Sequence, residues 1–312
     1  LLKKIQDNEL IVSEKCSISI TNFKTALDAA MLTYPLETDL RNEYTIFNIP
    51  KRSGGVREIW APSDTLKAVC RSLLDLIDRD LKFLPHNAAH GFTHHRNTKT
   101  CLTVHQKQSS RWFMKLDMSN FFPSFNVDDT VNLIKCVYPF NLLDENYLQQ
   151  LVHLASVDGK LVQGNPLTPM LTNIAMVSVD DKLDHFARKK GLTYTRYADD
   201  MQISSKYDFS GVMEGIQTSI ADLLPTFLSI NCEKTRYGSF AGRNWNLGLM
   251  YNNKYEITVG HARYHWCKVG VHKLEVGEAV DVAQLGGVLA YCRYIEHNKY
   301  EPLWQRYLAA KA

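Results

Sequence analysis

The chain has 312 residues, of which 45% are hydrophobic, and its formal net charge is +3. This composition predicts a soluble globular protein with a large core and two or three subdomains. It excludes a uniformly basic nucleic-acid-binding module, so any basic surface must be local, and no apolar run reaches the roughly 20 residues of a membrane span.

The first third of the chain predicts helices and a basic hairpin. Residues 1–45 have the mixed polarity of helical segments, and residues 49–60 place Ser-Gly-Gly between basic residues, which predicts a β-hairpin with its turn at 53–55. Apolar residues at helical spacing behind an Asp64 cap predict a helix over 64–84.

The segment 111–117 predicts a buried strand that ends in a carboxylate. The residues before Asp117 are mostly apolar and aromatic. An aspartate at the end of such a strand must be paired, metal-bound or protonated. Asp117 is therefore a candidate metal ligand, although a lone aspartate at a strand end is more often a cap or a turn residue.

Two helical regions follow, over 128–155 and 166–189. Pro166 and Pro169 fit the first turn of the second helix better than its interior. By itself, the loop from Gln163 to Pro169 is also compatible with the ordinary entry into a helix.

The most informative stretch is Tyr197-Ala198-Asp199-Asp200, inside a hairpin predicted at about 193–205. Adjacent ionised carboxylates repel each other, so against a packed sheet they normally persist where a divalent cation neutralises them. With Asp117 as a third ligand, they predict two Mg²⁺ about 3.5–4 Å apart, an arrangement suited to phosphoryl transfer. The plainer alternative is an exposed acidic turn.

After this hairpin the pattern predicts a helix near 211–226, short strands to about 260 and a helical tail at 279–310. Helices that alternate with a few antiparallel strands indicate the α+β class. Aromatic and basic residues mix over 261–273, which suits contact with the phosphates and sugars of a duplex.

Several of these segments, in this order, resemble reverse transcriptases, in particular bacterial retron-type and phage-defence-associated enzymes. The matching segments are the hairpin 49–59, His90-Gly91-Phe92 with Arg96, Asp117 with Phe121-Phe122, the loop 163–169, Tyr197–Asp200, Glu233-Lys234-Thr235 and Leu247-Gly248-Leu249. The resemblance implies a right-hand polymerase fold. Its parts would be fingers with N-terminal helices (1–110), an antiparallel-sheet palm with finger-contributing helices (111–250) and a helical thumb (251–312).

The resemblance implies an RNA-directed DNA polymerase that adds dNTPs to a primer 3′ end. The implied catalytic residues are Asp117, Asp199, Asp200 and Lys234, the lysine as a general acid. The implied metal ligands are Asp117, the main-chain carbonyl near Met118, Asp199 and Asp200. The implied nucleotide-binding residues are Lys51, Arg57, Phe122, Gln163 and Gly164. The implied nucleic-acid-binding residues are Tyr197, Leu247, Gly248, Arg263 and Lys268.

Each assignment has a structural alternative. Phe122 would clash with a ribose 2′-hydroxyl and so select deoxynucleotides, or it packs in the core. Lys51 and Arg57 neutralise phosphates or line a solvated hairpin face, and Lys234 is either the acid or a surface lysine.

The implied cofactor is a pair of Mg²⁺ ions, with Mn²⁺ as a substitute. The implied partners are a structured non-coding RNA template, its DNA product and an effector protein or a second copy, in antiviral defence and away from membranes. Two segments depart from the typical retron pattern: Cys101–His105 keeps only the histidine of Asn-Ala-x-x-His, and Asn246-Leu247-Gly248 replaces Val-Thr-Gly.

Two other functions stay open at this point: template-independent or protein-primed DNA synthesis, and a non-catalytic palm that binds RNA. Intact clustered carboxylates argue against the non-catalytic palm. The seven cysteines are scattered without a Cys-x-x-Cys pair, which predicts neither a disulfide framework nor a zinc site. With no apolar signal core at Leu1–Lys4, the expected location is the cytoplasm.

Overall fold

A computed structural model of the chain describes residues 19–51, 54–240 and 247–311. Part of the predicted N-terminal helices (1–18), the hairpin residues Arg52 and Ser53, and Asn246 lie outside the described residues. The helices are α1 (19–33), α2 (Asp64–Arg79), α3 (Thr98–Lys107), α4 (Phe121–Ser124), α5 (Val127–Ile134), α6 (Glu145–His153), α7 (Thr168–Ala175), α8 (Val177–Lys189), α9 (Met213–Leu223), α10 (His261–Glu275), α11 (Val282–Ile295) and α12 (His297–Lys311). The strands are β1 (Tyr44–Pro50), β2 (Val56–Pro62), β3 (Trp112–Asp117), β4 (Ser156–Val157), β5 (Lys160–Leu161), β6 (Thr193–Tyr197), β7 (Asp200–Ser205), β8 (Arg236–Ser239), β9 (Met250–Tyr251) and β10 (Ile257–Thr258).

A four-stranded antiparallel sheet in the order β6-β7-β3-β8 forms the centre of the molecule. The remaining strands of the described chain form the two-stranded ribbons β1-β2, β4-β5 and β9-β10. The predicted strand 111–117 and the hairpin 193–205 are confirmed by β3, β6 and β7. Strand β3 pairs with both β7 and β8, so Asp117, its last residue, lies at the end of an inner strand of the sheet.

The central sheet separates two hydrophobic cores. Met114 and Leu116 of β3 pack into the larger core with helices α5–α9, whereas Phe113 packs into a second core with α3 and α10–α12. Side chains alternate between the faces of a strand. Asp117 therefore lies on the same face of the sheet as Phe113, on the side of α3 and the C-terminal helices.

Several helix boundaries differ from the prediction. The helix predicted over 128–155 is divided into α5 and α6, because Pro139 has no N–H donor to continue a helix. Helix α2 is capped by Ser63, whose side chain accepts from the Leu66 amide, and not by Asp64. The region 166–189 is helical from Thr168 and is interrupted at Met176.

The C-terminal part forms three helices, α10 to α12, which pack on one another. The sequence predicted the last two but not α10. That helix buries only Cys267, Gly270 and Val271, so its apolar stripe is too thin to give a clear helical period. In the described parts of the chain, no helix is both long and apolar enough to span a membrane.

Candidate active site

The hairpin between β6 and β7 presents two aspartates at its tip. Strand β6 ends at Tyr197 and β7 begins at Asp200, so Ala198 and Asp199 form a two-residue loop. Ala198 has a φ of +56°, as the first loop residue of the tight hairpin turns does. The Met118 amide donates to the Asp199 carbonyl oxygen at 3.0 Å, which ties the turn to the end of β3.

The register of the sheet brings the third carboxylate to the same place. Asp117 of β3 is the direct cross-strand partner of Asp200 of β7. Directly opposed residues have Cβ atoms about 4.5–5.5 Å apart on one face. Residues separated by more than eighty positions in the chain are thus neighbours, as the sequence predicted for Asp117 and the Asp-Asp pair.

The electrostatics of the site disfavour three bare negative charges. Burial raises the pKa of Asp199, and the charges of Asp200 and Asp117 raise it further. Burial also raises the pKa of Asp200, partly offset by the nearby Lys115 ammonium. A site that destabilises its own carboxylates in this way is one that a cation stabilises.

The side chain of Lys234 places a positive charge at the carboxylates. The Lys234 ammonium donates to Asp117 Oδ2 at 2.9 Å. Lys234 is 56% exposed, whereas Asp117 is 16% exposed. The short helical turn Cys232–Lys234 that carries the lysine is held by the Asn231 side chain, which accepts from the Lys234 amide.

Among the described residues, no group of three or more His, Cys, Asp or Glu side chains stands ready-made for a metal ion. The hydrogen bond from Lys234 to Asp117 is a physical reason for this, because it turns the Asp117 carboxylate toward the ammonium. The donor set still fits Mg²⁺, which prefers carboxylate oxygens and takes one or two of them with substrate phosphates. The fit rests on the cross-strand pair, on the adjacent Asp199 and on the raised pKa values.

The two adjacent phenylalanines after Asp117 have different environments. Phe121 is buried, whereas Phe122 is partly exposed. The Phe122 ring contacts Phe121 and also Phe92, with ring centroids 6.3 Å apart in the second pair. Phe92 is 54% exposed. Phe122 packs against the main hydrophobic core with part of its ring and is accessible on the rest, so its role in sugar selection stays a prediction.

The loop that carries Gln163 and Gly164 packs against the β1-β2 hairpin. The Gln163 carbonyl accepts from the Trp60 amide at 2.8 Å. A Cβ on Gly164 would lie 2.5 Å from the Trp60 carbonyl oxygen, and Gly164 has a φ of +124°. Any side chain at position 164 would therefore collide with the hairpin, which explains the glycine. Lys51 and Arg57 lie exposed on that hairpin.

The residues predicted to contact nucleic acid are spread over three places. Tyr197 is half-buried beside the aspartates. Leu247 and Gly248 form a turn with φ of +54° and +80°. Arg263 and Lys268 are exposed on α10. Only Tyr197 lies directly at the carboxylates, and the roles of the other four stay predictions.

His105 shows why motif letters alone mislead. Its side chain is fully buried beneath the sheet, where Nδ1 lies 2.6 Å from Ser204 Oγ and Nε2 lies 2.8 Å from Thr195 Oγ1. Burial lowers its pKa to about 3, so it is neutral. The histidine retained from the retron pattern therefore stabilises the sheet.

Sequence reasoning also missed the part of Gly91. A Cβ on this residue would lie 2.6 Å from the Ala198 amide nitrogen. Gly91 is therefore the surface on which the aspartate turn rests. His90-Gly91-Phe92 is one of the segments that carry the family resemblance, but a glycine that provides space for a distant turn gives no local pattern.

Comparison with known proteins follows the same direction. Residues 49–267 match the family described as reverse transcriptase (RNA-dependent DNA polymerase). The chain is 32% identical to the Retron Mx65 reverse transcriptase of Myxococcus xanthus over 84% of this chain and 64% of that protein, so it spans under two thirds of that relative. It is 27% identical to the Retron Ec83 reverse transcriptase of Escherichia coli over 85% and 86% of the two chains. An apo telomerase structure from Candida tropicalis, truncated from its C-terminal domain, matches with a TM-score of 0.48 and 14% identity over 71% of this chain and 56% of that one.

Proposed function

The chain belongs to the reverse transcriptase family, and on that premise we propose that it is an RNA-directed DNA polymerase which extends a primer 3′ end by two-metal phosphoryl transfer. The fold is that of the family: an α+β right-hand polymerase fold with an antiparallel palm sheet. The observation that carries the proposal is the cross-strand pairing of Asp117 with Asp200 beside Asp199.

The three carboxylates would hold the metal ions at the palm. Bound Mg²⁺ supplies activation of the primer 3′-hydroxyl and neutralises the leaving pyrophosphate. The protein contributes position and charge, because phosphoryl transfer asks little covalent chemistry of it. Asp117 and Asp200 are fixed by strand pairing, and Asp199 is fixed by the hydrogen bond from the Met118 amide to its carbonyl. The carbonyl near Met118 is a further ligand in this proposal.

Lys234 is the proposed general acid. Its ammonium is within hydrogen-bond distance of Asp117, which supports a position beside the reacting phosphates. A positioned lysine can donate a proton to a leaving group. In the substrate complex the phosphates would draw the Lys234 ammonium away from Asp117, and the freed carboxylate would then be available as a metal ligand.

Substrate contacts follow from the surroundings. Lys51 and Arg57, exposed on the hairpin, would neutralise the triphosphate, and the Gln163–Gly164 loop would face the nucleotide from the hairpin's inner side. The exposed side of Phe122 would exclude a 2′-hydroxyl. The primer and template would be held by Tyr197 and, farther out, by Leu247, Gly248, Arg263 and Lys268.

Primer extension on an annealed RNA template tests the proposal directly. We expect incorporation of dNTPs in Mg²⁺ or Mn²⁺ and much slower incorporation of ribonucleotides. A protein that binds the primer–template but incorporates nothing with either metal would contradict it.

The template and cellular role form a further part of the proposal. The relatives are named as retron reverse transcriptases, and we extend the proposal to a structured non-coding RNA as template and to a role in antiviral defence beside an effector protein or a second copy. Sequencing the nucleic acid that copurifies with the protein separates the possibilities. A complementary RNA and DNA pair supports templated synthesis, repetitive DNA without matching RNA supports template-independent synthesis, and RNA alone supports a non-catalytic palm. Loss of phage protection in cells that carry an inactive chain tests the defence role.

A further inference from the structure

A fully buried ion pair lies directly beneath the aspartate hairpin. Arg196 of β6 is 1% exposed and Asp180 of α8 is 0% exposed. The guanidinium donates to both carboxylate oxygens, from Nε to Oδ1 at 2.8 Å and from an Nη to Oδ2 at 2.7 Å. Tyr194 also donates to Asp180, at 2.8 Å, so the carboxylate is held from two sides.

The same guanidinium reaches the turn that carries the aspartates. Its other Nη donates to the Ala198 carbonyl oxygen at 3.1 Å. Ala198 is the residue with left-handed φ, a conformation that an alanine adopts only under constraint. The carbonyl that Arg196 holds is the one immediately before Asp199, so the contact restricts the peptide from which that carboxylate projects.

Neighbouring segments complete the support. Arg196 donates to the Asn173 side chain at 3.1 Å, and Asn173 in turn donates to the Gly91 carbonyl at 2.9 Å. Gly91 is the residue against which the Ala198 amide packs. One charged group therefore links helix α8, helix α7, the segment before α3 and the turn.

An ion pair is an unusual choice for this position if only stability matters. Removing two charges from water costs about as much as their attraction returns, and apolar residues of similar volume often do as well or better. An apolar side chain, however, cannot donate to the Ala198 carbonyl. The planar guanidinium can grip a carboxylate with two N–H groups and still present others at fixed angles, which a lysine ammonium cannot do.

We propose that Arg196 is a positioning residue: held by Asp180 and Asn173, it fixes the Ala198 peptide and thereby aims Asp199 and Asp200 at their metal ions. This inference rests on the proposed function, because it concerns the same site. A purely structural role for the pair is the competing explanation, and it predicts effects on folding alone.

The test compares variants of the full chain by Mn²⁺ binding, measured by electron paramagnetic resonance, and by steady-state primer extension. Arg196→Lys keeps the charge opposite Asp180 but cannot bridge to the turn. We expect the Kd for Mn²⁺ to rise about 10-fold or more and kcat to fall roughly 100-fold with little change in the KM for the primer–template. Tyr194→Phe removes a contact to Asp180 without touching the turn, and Leu183→Ala opens a cavity on the same helix. Both controls should bind Mn²⁺ like the wild type.

If Arg196→Lys does not fold, the triple variant Arg196→Met, Asp180→Leu and Tyr194→Phe replaces the ion pair and the tyrosine hydroxyl by apolar groups, and it should fold yet show the same loss of Mn²⁺ affinity. The inference is overturned if either folded variant binds Mn²⁺ and turns over like the wild type. It is also overturned if the losses of Mn²⁺ affinity and of kcat in these variants are accounted for entirely by their unfolded fraction. Failure of the proposed function gives a different result. In that case the wild type would incorporate no nucleotides, and its Mn²⁺ binding would not be weakened by Asp199→Asn.

Discussion

The substitution Gly91→Ala is expected to disable the site from outside it. Gly91 is buried, and an added Cβ would lie 2.6 Å from the Ala198 nitrogen and 3.2 Å from the Tyr197 carbonyl carbon. Both neighbours are backbone atoms of the aspartate turn, so no flexible side-chain tip can move aside. An ordinary contact begins at 3.4 Å, so the turn and the Gly91 segment must separate by about 0.8 Å.

Two measurable effects follow from that displacement. Overpacking of a tightly packed site costs about 1–3 kcal/mol of unfolding free energy, which lowers Tm by a few degrees in a chain of this size. A displacement approaching 1 Å at catalytic groups can lower the rate by about 100-fold. We therefore expect a folded protein whose kcat falls far more than its stability.

Primer extension and thermal unfolding, measured on the same preparations, check this expectation. The matched control is Gly215→Ala in α9, where a Cβ would meet nothing within 4 Å. That substitution should leave activity unchanged and stabilise the protein by about 0.5–1 kcal/mol, because alanine loses less backbone entropy in a helix. Wild-type activity and Tm in Gly91→Ala would refute the idea that the turn is seated on this glycine.

Three further outcomes are expected. Phe122→Ala should raise ribonucleotide incorporation relative to deoxynucleotides by roughly 100-fold in kcat/KM, and unchanged sugar discrimination would assign the ring to packing with Phe121 and Phe92. Lys234→Ala should lower kcat by about 100-fold with little change in Tm, because the lysine side chain is 56% exposed and ion pairs to exposed groups contribute little to stability; equal rates for both proteins would remove the general acid. Burial raises the pKa of Asp199 and Asp200 above the ordinary 3.8, so without metal the folded state keeps protons that the unfolded chain has released, and stability falls as pH rises above that value. The Tm of Asp199→Asn/Asp200→Asn should therefore exceed that of the wild type near pH 7 and approach it near pH 4, and a constant difference across that range would contradict the burial effect.

The palm could be predicted from the sequence because its signals are local and independent. A short aromatic strand ending in Asp117 and a hairpin centred on two aspartates each have a strand pattern, and their convergence is confirmed by the register of β3 and β7. The α+β class and the family are likewise confirmed. The subdomain boundaries and the substrate contacts stay predictions.

What the sequence could not show depends on contacts between distant segments. Arg196 was one residue away from the motif, yet its partner Asp180 lies on another element, and burial of both charges is visible only after folding. Pro139 indicates the break between α5 and α6, but the helical pattern on both sides of it conceals that signal. Helix α10 gave no clear period because most of its surface is exposed.

The central claim is that Asp117, Asp199 and Asp200 act as one catalytic centre. The most direct measurement is primer extension on an RNA template by Asp199→Asn/Asp200→Asn, together with the RNA affinity of the same preparation and with Asp222→Asn, an exposed aspartate of α9, as control. The account predicts no incorporation by the double variant, RNA affinity near that of the wild type because phosphate contacts lie elsewhere, and full activity of the control. Nucleotide incorporation by the double variant at the wild-type rate would contradict it.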